Sequence, residues 1–525
     1  MVWLAGTGDV VISRRSVLRW GAVGVAGLLT GGALPGCTGH RRADPFTLGV
    51  ASGEPNASGV VLWTRLAPDP LAEDGFGGMG PAPVEVEWEL AGDESFRRVY
   101  RRGVETAVRE SAHSVHVELD ELAPGREYFY RFRTGPYLSA PGRTRTAPEP
   151  GAPAGPLTIC VASCAQYEHG YFTAYRHLAH EQPDLVLHLG DYQYEYAADE
   201  YVAPGGNVRC HAGPQTLTLS NYRQRYAQYK TDPDLQAAHA AAPWLVVWDD
   251  HEVANNWAGE IPEPPRPGFP ARRAAAFQAY YENMPLRRRS APRGSDLRLY
   301  RRIGWGDLAS FFMLDTRQYR DDQPCGGRAG SDCPERADPD RTILGRAQEA
   351  WLLNGLRGSR TRWNLLGQQV LFARLDLRPG AERRFSADAW DGYLAARERI
   401  IAALRDSPER NTMILTGDLH RHCAAEITEH VDDPASATVA TELVTTSITS
   451  EGDGSQTEPT TAAILADNPH IRFYDNRRGY VRTDVRHGEI RGYFRVIPYV
   501  SRPGAPVATQ ASFVVENGRP ALHRV

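Results

Sequence analysis

The sequence predicts an α/β protein in two parts, a small all-β domain followed by a longer layered α/β domain. Three observations predict it. Between Phe46 and about Thr146, apolar and polar residues alternate with the period of half-buried strands. Ala147 to Pro156 is a Pro/Gly stretch that can continue neither strand nor helix. Beyond it, short β-type apolar runs recur between stretches whose apolar residues fall at three- and four-residue spacing, the pattern of sheet layered with helix.

Residues 1–37 read as a twin-arginine export signal. Arg14-Arg15, within Ser13 to Arg19, precedes an apolar Gly/Ala-rich run from Trp20 to about Leu29 that is short for a bilayer. Leu34-Pro35-Gly36-Cys37 is a possible lipoprotein cleavage site with Cys37 acylated. No later segment is long and apolar enough to span a membrane, so the expected location is secreted or cell-surface. The expected partners are the twin-arginine machinery and, through Cys37 alone, a membrane; the chain is expected to be a monomer.

Its 525 residues suffice for two or more domains and a sizeable core. Lys+Arg 59 against Asp+Glu 64 gives a formal net charge of -5. That excludes a sequence-wide basic balance advertising nucleic acid, so an anionic substrate must be held by local charges or metal.

The first domain is assigned to residues 45–147. Val84 to Leu90 and Val115 to Leu119 alternate cleanly, and Leu122 to Phe132 runs from a Pro-Gly turn into an aromatic strand. That last pattern resembles the tyrosine corner of immunoglobulin-like and fibronectin type III sandwiches. After a linker at 148–156, the second domain takes residues 157–525. Its expected strands are Leu157 to Ser163, Leu185 to Leu189, Trp244 to Trp248, Phe311 to Leu314, Trp363 to Leu366, Met413 to Thr416 and Leu443 to Ile448, with a helix over Gly392 to Leu404. Cys325 and Cys333, in a Gly- and Asp-rich segment, are the best pair for a local disulfide, while Cys160, Cys210 and Cys423 read as buried thiols or distant pairs.

Four strand ends carry chemistry: Ser163-Cys164-Ala165-Gln166, Gly190-Asp191-Tyr192-Gln193-Tyr194, Asp249-Asp250-His251-Glu252 with Asn255-Asn256 beyond, and Gly417-Asp418-Leu419-His420. Strand ends are where α/β folds place their sites. Singly, each has an ordinary reading as a cap, a core residue or a surface histidine. Together they offer carboxylate, imidazole, thiolate, phenolate and amide, and a metal offsets the cost of packing such anions. A multinuclear metal centre is the prediction.

The order of these stations resembles that of calcineurin-like metallophosphatases, with Cys164, Asp250 and Asp418 at positions where that superfamily usually has other ligands. Those departures, with Phe46 to Gly53, Leu314 to Arg320 and Asp388 to Tyr393, resemble the PhoD-like alkaline phosphatase family over nearly the whole mature chain. The resemblance implies a layered αββα metallophosphatase domain and a secreted alkaline phosphatase and phosphodiesterase. It implies that Cys164, Asp191, Tyr194 and His420 hold Fe(III), and that Asp191 bridges to Ca(II) held also by Asp250 and Asp418, with Asn255 contributing. Thiolate, phenolate and imidazole suit iron, and carboxylate and amide oxygens suit calcium.

Two such cations imply direct attack on a phosphate ester by a metal-activated water or oxide, with Asp191 and His251 as the catalytic residues and His251 stabilising the phosphate or protonating the leaving oxygen. A calcium-dependent phospholipase D or a cell-wall phosphodiesterase is the alternative within the family, and a catalytically inactive surface-binding protein the alternative outside it. His422 reads as exposed and outside the ligand set, Arg477-Arg478 as a solvated turn, Asp315 with Arg317 as a local ion pair, and Tyr192 and Tyr196 as structural. The insertions around 201–215, 259–270 and 324–341 carry no readable specificity code.

Overall fold

Strand Leu185–Leu189 shows how the layers are built. Its alternate side chains face opposite ways: His188 meets the hydroxyl of Tyr175 on helix Thr173–His180 at 2.8 Å, while Leu189 packs beside Gly367 on a second sheet. Both faces of the strand are buried, which is why it reads as an unbroken apolar run.

The computed structural model describes residues 43–327, 333–378, 380, 382–406, 411–430, 433, 435–456 and 458–525. The twin-arginine segment and Cys37 lie outside the described residues. A ten-stranded sheet runs Arg519–Arg524, Ala508–Glu516, Glu489–Ile497, Arg478–Val485, Leu157–Ala162, Leu185–Leu189, Pro243–Val247, Val50–Asn56, Gly59–Arg65, Ser114–Leu119. A seven-stranded sheet runs Arg301–Trp305, Ala309–Met313, Trp363–Gln368, Asn411–Thr416, Thr438–Val444, His422–Thr428, Ile471–Asp475. Their inner faces share one core, with Leu187, Leu189 and Val247 from the first and Met313, Leu365 and Leu415 from the second. Helices Thr173–His180 and Pro233–Ala241 cover the outside of the first, and Gly345–Gly358 and Leu394–Arg405 the outside of the second. The layers are αββα.

The N-terminal region is all-β, as expected, but its strands serve two sheets. Val84–Ala91, Val99–Ala107, Glu127–Thr134, Tyr137–Leu138 and Gly142–Arg145 form a five-stranded sheet of their own. The facing layer, Val50–Asn56, Gly59–Arg65 and Ser114–Leu119, continues the ten-stranded sheet, because Ser52 and Gly53 pair in parallel with Pro243 and Trp244. Val60, Leu62, Val86, Tyr130 and Phe132 fill the space between the two layers. The Tyr128 hydroxyl accepts from the Ala123 N–H at 3.0 Å, the local tie that a tyrosine corner makes. The Pro/Gly linker therefore separates two chain segments but not two sheets.

Cys325 and Cys333 form the expected disulfide. Cys160 and Cys423 are buried free thiols, whereas Cys210, expected to be buried or distantly paired, is free and exposed in the loop before helix Leu219–Lys230. No helix among the described residues is long and apolar enough to cross a membrane.

Candidate metal centre

Parallel strands of both sheets bring their carboxyl ends to one place, and the loops leaving those ends are laced together by backbone bonds. The Cys164 and Ala165 N–H groups donate to the carbonyls of Gly190 and Asp191, Gly417 to Gln369, and Ile448 to Ser163. Segments far apart in sequence are thereby set against each other with little freedom.

Four predicted ligands sit in left-handed backbone: Cys164 at φ 60°, Asp191 at 55°, Asp418 at 57° and His420 at 55°. Such a conformation costs of order 1–3 kcal/mol for a non-glycine residue and survives only where surroundings over-determine it. Gly190, at φ 101°, makes the approach possible, since a Cβ there would lie 2.4 Å from the Asp249 Cβ. Glu252 then staples the two turns by accepting from the N–H groups of Asp191 (3.0 Å), Tyr192 (2.6 Å) and Asp249 (2.8 Å).

The donor atoms converge in three overlapping groups, each within 4.8 Å: Cys164, Asp191 and His420; Asp191, Asp250 and His251; Asp249, Asp250 and Asp418. Asp191 belongs to the first two. The Tyr194 hydroxyl joins the first, 3.2 Å from Asp191 Oδ2 and 3.3 Å from His420 Nε2. Ser450 Oγ is bonded to that hydroxyl at 2.7 Å and to the Cys164 carbonyl at 2.8 Å. The other nitrogen of His420 faces Glu451 at 3.3 Å, a carboxylate–imidazole pairing that aims Nε2 into the site.

These residues fit a pair of cations. Burial pushes Cys164, Asp191, Tyr194 and Asp418 well above their ordinary pKa values, and neighbouring carboxylates add to it at each. Burial also raises Asp249 to about 7, against the pull of Arg317, and its Oδ2 is buried without a hydrogen-bond partner. So many acids raised in one place is the situation that bound cations relieve. Asp250 differs: burial works to raise it, but Arg317 and His251 outweigh burial and hold it below the usual carboxylate range.

His251, a member of the second group, has two further neighbours. Its ring lies against that of Tyr194, centroids 4.0 Å apart, and its Nδ1 meets Glu195 Oε2 at 2.8 Å. Burial alone would lower its pKa, but Asp250, Glu195 and Asp191 outweigh burial and raise it well above the ordinary value. The Asn255 N–H donates to Glu195 Oε1 at 2.7 Å, and Asn255 lines a cleft of about 420 Å³ walled by Tyr196, Leu217 and the segment Pro262 to Phe269. The 259–270 insertion thus borders the site.

Three expectations at the periphery are corrected. His422 is buried, bonded to the Thr446 N–H and the Arg495 carbonyl, because it begins a strand of the second sheet that is paired on both sides. Arg478 is buried and donates to the carbonyls of His420 and Ser450, so it ties the His420 loop in place. Arg317 does not pair with the Asp315 carboxylate through its side chain; it donates Nε to Asp249 and a fork to Asp388 at 2.9 and 2.7 Å, while Asp315 accepts the Arg317 backbone N–H. Tyr192, expected to be structural, bonds His239 at 2.8 Å behind the site. Sequence reasoning passed over Asp249 as a donor and missed Glu451 and Ser450 altogether.

The sequence model of the PhoD-like phosphatase family matches residues 159–494, and that of the PhoD-like phosphatase N-terminal domain matches residues 33–148. The chain is 49% identical over 524 residues to alkaline phosphatase D of Bacillus subtilis (strain 168), covering 98% of this chain and 89% of that protein. It superposes on the solved structure of PhoD with a TM-score of 0.90 at 50% identity, over 92% of each chain. With the clustered donors, these relationships are decisive: the chain belongs to the PhoD-like phosphatase family and is a metal-dependent phosphoric ester hydrolase.

Proposed function

We propose that this enzyme is an exported alkaline phosphatase and phosphodiesterase built on an Fe(III)/Ca(II) centre. The observation that carries the reading is the double membership of Asp191, which shares one group with a thiol, a phenol and an imidazole and the other with the Asp250 carboxylate and His251, Asp250 in turn meeting Asp249 and Asp418. Cys164, Asp191, Tyr194 and His420 would hold iron; Asp191, Asp250 and Asp418 would hold calcium, with Asp249 and Asn255 adjacent. When bound, the cations supply Lewis-acid polarisation of the phosphate ester and make a hydrolytic oxygen nucleophile available near neutral pH.

The chain's own residues supply position and a proton. Glu195 holds Nδ1 of His251, which orients the ring so that Nε2 is the nitrogen left to face a departing alkoxide and give it a proton. Arg317 fixes Asp249 and Asp250 in place without reaching for substrate. The cleft beside Asn255 gives room for the organic part of an ester, which favours diesters as well as monoesters. A phospholipase D or cell-wall phosphodiesterase would use the same groups. Export rests on Arg14-Arg15 and the apolar run behind it, and tethering on Cys37.

The test is hydrolysis of p-nitrophenyl phosphate and bis(p-nitrophenyl) phosphate by the purified protein, with metal analysis and with and without calcium. Turnover of both that requires calcium, by a protein containing iron, is expected. Hydrolysis of neither by iron- and calcium-loaded protein overturns the reading.

A further inference from the structure

The segment Arg287 to Arg302 carries seven arginines, at 287, 288, 289, 293, 298, 301 and 302, against a single acid, Asp296, in a chain whose net charge is -5. So local an excess of cation needs a reason. The structure folds part of it into a pocket of about 380 Å³ at the free edge of the seven-stranded sheet, where Arg301–Trp305 is the last strand.

Arg289, Arg298, Arg301 and Arg302 line this pocket with Tyr300 and Trp351, and among the described residues no carboxylate lines it. Their engagements are unequal. Arg301 is buried, held by Glu54 at 2.5–2.6 Å and by the Leu299 carbonyl, and so forms a fixed floor. Arg302 donates to Ser310 Oγ at 2.9 Å. Arg289 has only a 3.8 Å approach to Glu54, with its side chain 62% exposed. Arg298 lies over the ring of Tyr300 at 4.7 Å, and among the described residues it has no hydrogen-bond or ion-pair partner. Two guanidinium forks therefore stand open beside two aromatic walls. Guanidinium forks of this kind match phosphate oxygens, and stacked aromatics keep them in place.

The pocket stands apart from the metal donors yet within reach of them. Arg301 pairs in register with Met313, and Arg317, which holds Asp249 and Asp250, follows four residues later. Strand spacing plus four extended residues puts the Arg301 and Arg317 Cα atoms at most roughly 20 Å apart.

We propose that this arginine pocket is a second phosphate-binding site, which holds a phosphate group of a chain-like phosphodiester substrate away from the bond being cut. The inference rests on the phosphodiesterase reading for its role, but binding can be measured without turnover. A fluorescein-labelled glycerol-phosphate decamer would be titrated by anisotropy against the intact protein and against R289Q/R298Q, which alters exposed side chains outside the metal site. Hydrolysis of bis(p-nitrophenyl) phosphate by both proteins runs alongside, so that an inactive enzyme is told apart from an absent pocket. Loss of two charge-assisted contacts should make the double variant bind the decamer roughly tenfold or more weakly. KM for decamer hydrolysis should rise by a similar factor with kcat unchanged, and the small substrate should be unaffected. If instead only non-competitive inhibition by inorganic phosphate is lost, the pocket's phosphate is the free product. Equal decamer affinity together with equal phosphate inhibition in the two proteins overturns the second site.

Discussion

The imidazole of His251 lies nearly flat on the ring of Tyr194, with centroids 4.0 Å apart and 29° between the planes. The stack joins a proposed iron ligand to the proposed proton donor, so removing the phenol oxygen and removing the imidazole have different consequences. Tyr194→Phe keeps the stack and deletes one oxygen, which sits among Asp191, His420 and Ser450. It should abolish the broad visible absorption of a ferric phenolate and lower kcat by more than about 100-fold, since losing a metal ligand costs at least what losing its support does. An absorption spectrum with iron content checks it; an unchanged spectrum and rate would leave Tyr194 as packing.

His251→Gln removes the proton donor and leaves every proposed ligand in place. Iron and calcium content should stay as in the wild type, while kcat falls about 10²- to 10⁴-fold, the usual worth of a positioned acid. The loss should be smaller for a substrate with a good leaving group such as p-nitrophenol than for an alkyl ester, because only the latter needs its oxygen protonated. Equal losses on both would assign His251 to holding the phosphate instead.

Arg317 is fully buried and faces Asp249, Asp250 and Asp388. Arg317→Met strands the buried carboxylates of Asp249 and Asp250, while Asp388 keeps Arg320, and breaking a buried ion pair from one side costs about 3–5 kcal/mol. Thermal melts should show a clear drop in Tm, and excess calcium should recover part of it by neutralising the same acids. Lysine at this position should recover less than arginine gives, since it cannot present a fork to Asp388 while reaching Asp249.

What the sequence disclosed of this site follows from where its signals are local. Cys164, Asp191, Asp250 and Asp418 each come within three residues after an apolar strand, so period and polarity together mark them. Glu451 and Ser450 carry no such mark: they follow Thr438–Val444 in an irregular loop, and only the return of that loop over Cys164 and His420 gives them partners. Arg317 was legible as a charge but not in its direction, because a side chain that long can turn to Asp315 or away from it. The joining of Val50–Asn56 to the large sheet was hidden for a related reason. Its partner, Pro243–Val247, is distant in sequence, and alternation within a strand does not say which edge it will meet.

His116 gives a pH dependence away from the metal donors. It is stacked on Tyr281, with centroids 4.7 Å apart, and its Nε2 faces the carbonyls of Tyr281 and Met284 at 3.0 and 2.9 Å. Burial lowers its pKa to about 4, the two carbonyls oppose that only in part, and Arg288 and Lys230 push the same way as burial. The unfolded chain takes up this proton near 6.5 and the folded chain only near 4, so acid favours unfolding. The neutral ring's contribution is complete above pH 6.5 and is lost as pH falls towards 4, a difference of roughly 3 kcal/mol. His116→Gln keeps an N–H for the carbonyls and has no proton to gain. Urea unfolding at pH 7.5, 6 and 5 should show the wild type losing stability more steeply than the variant, and parallel slopes would mean that His116 already titrates normally in the folded protein.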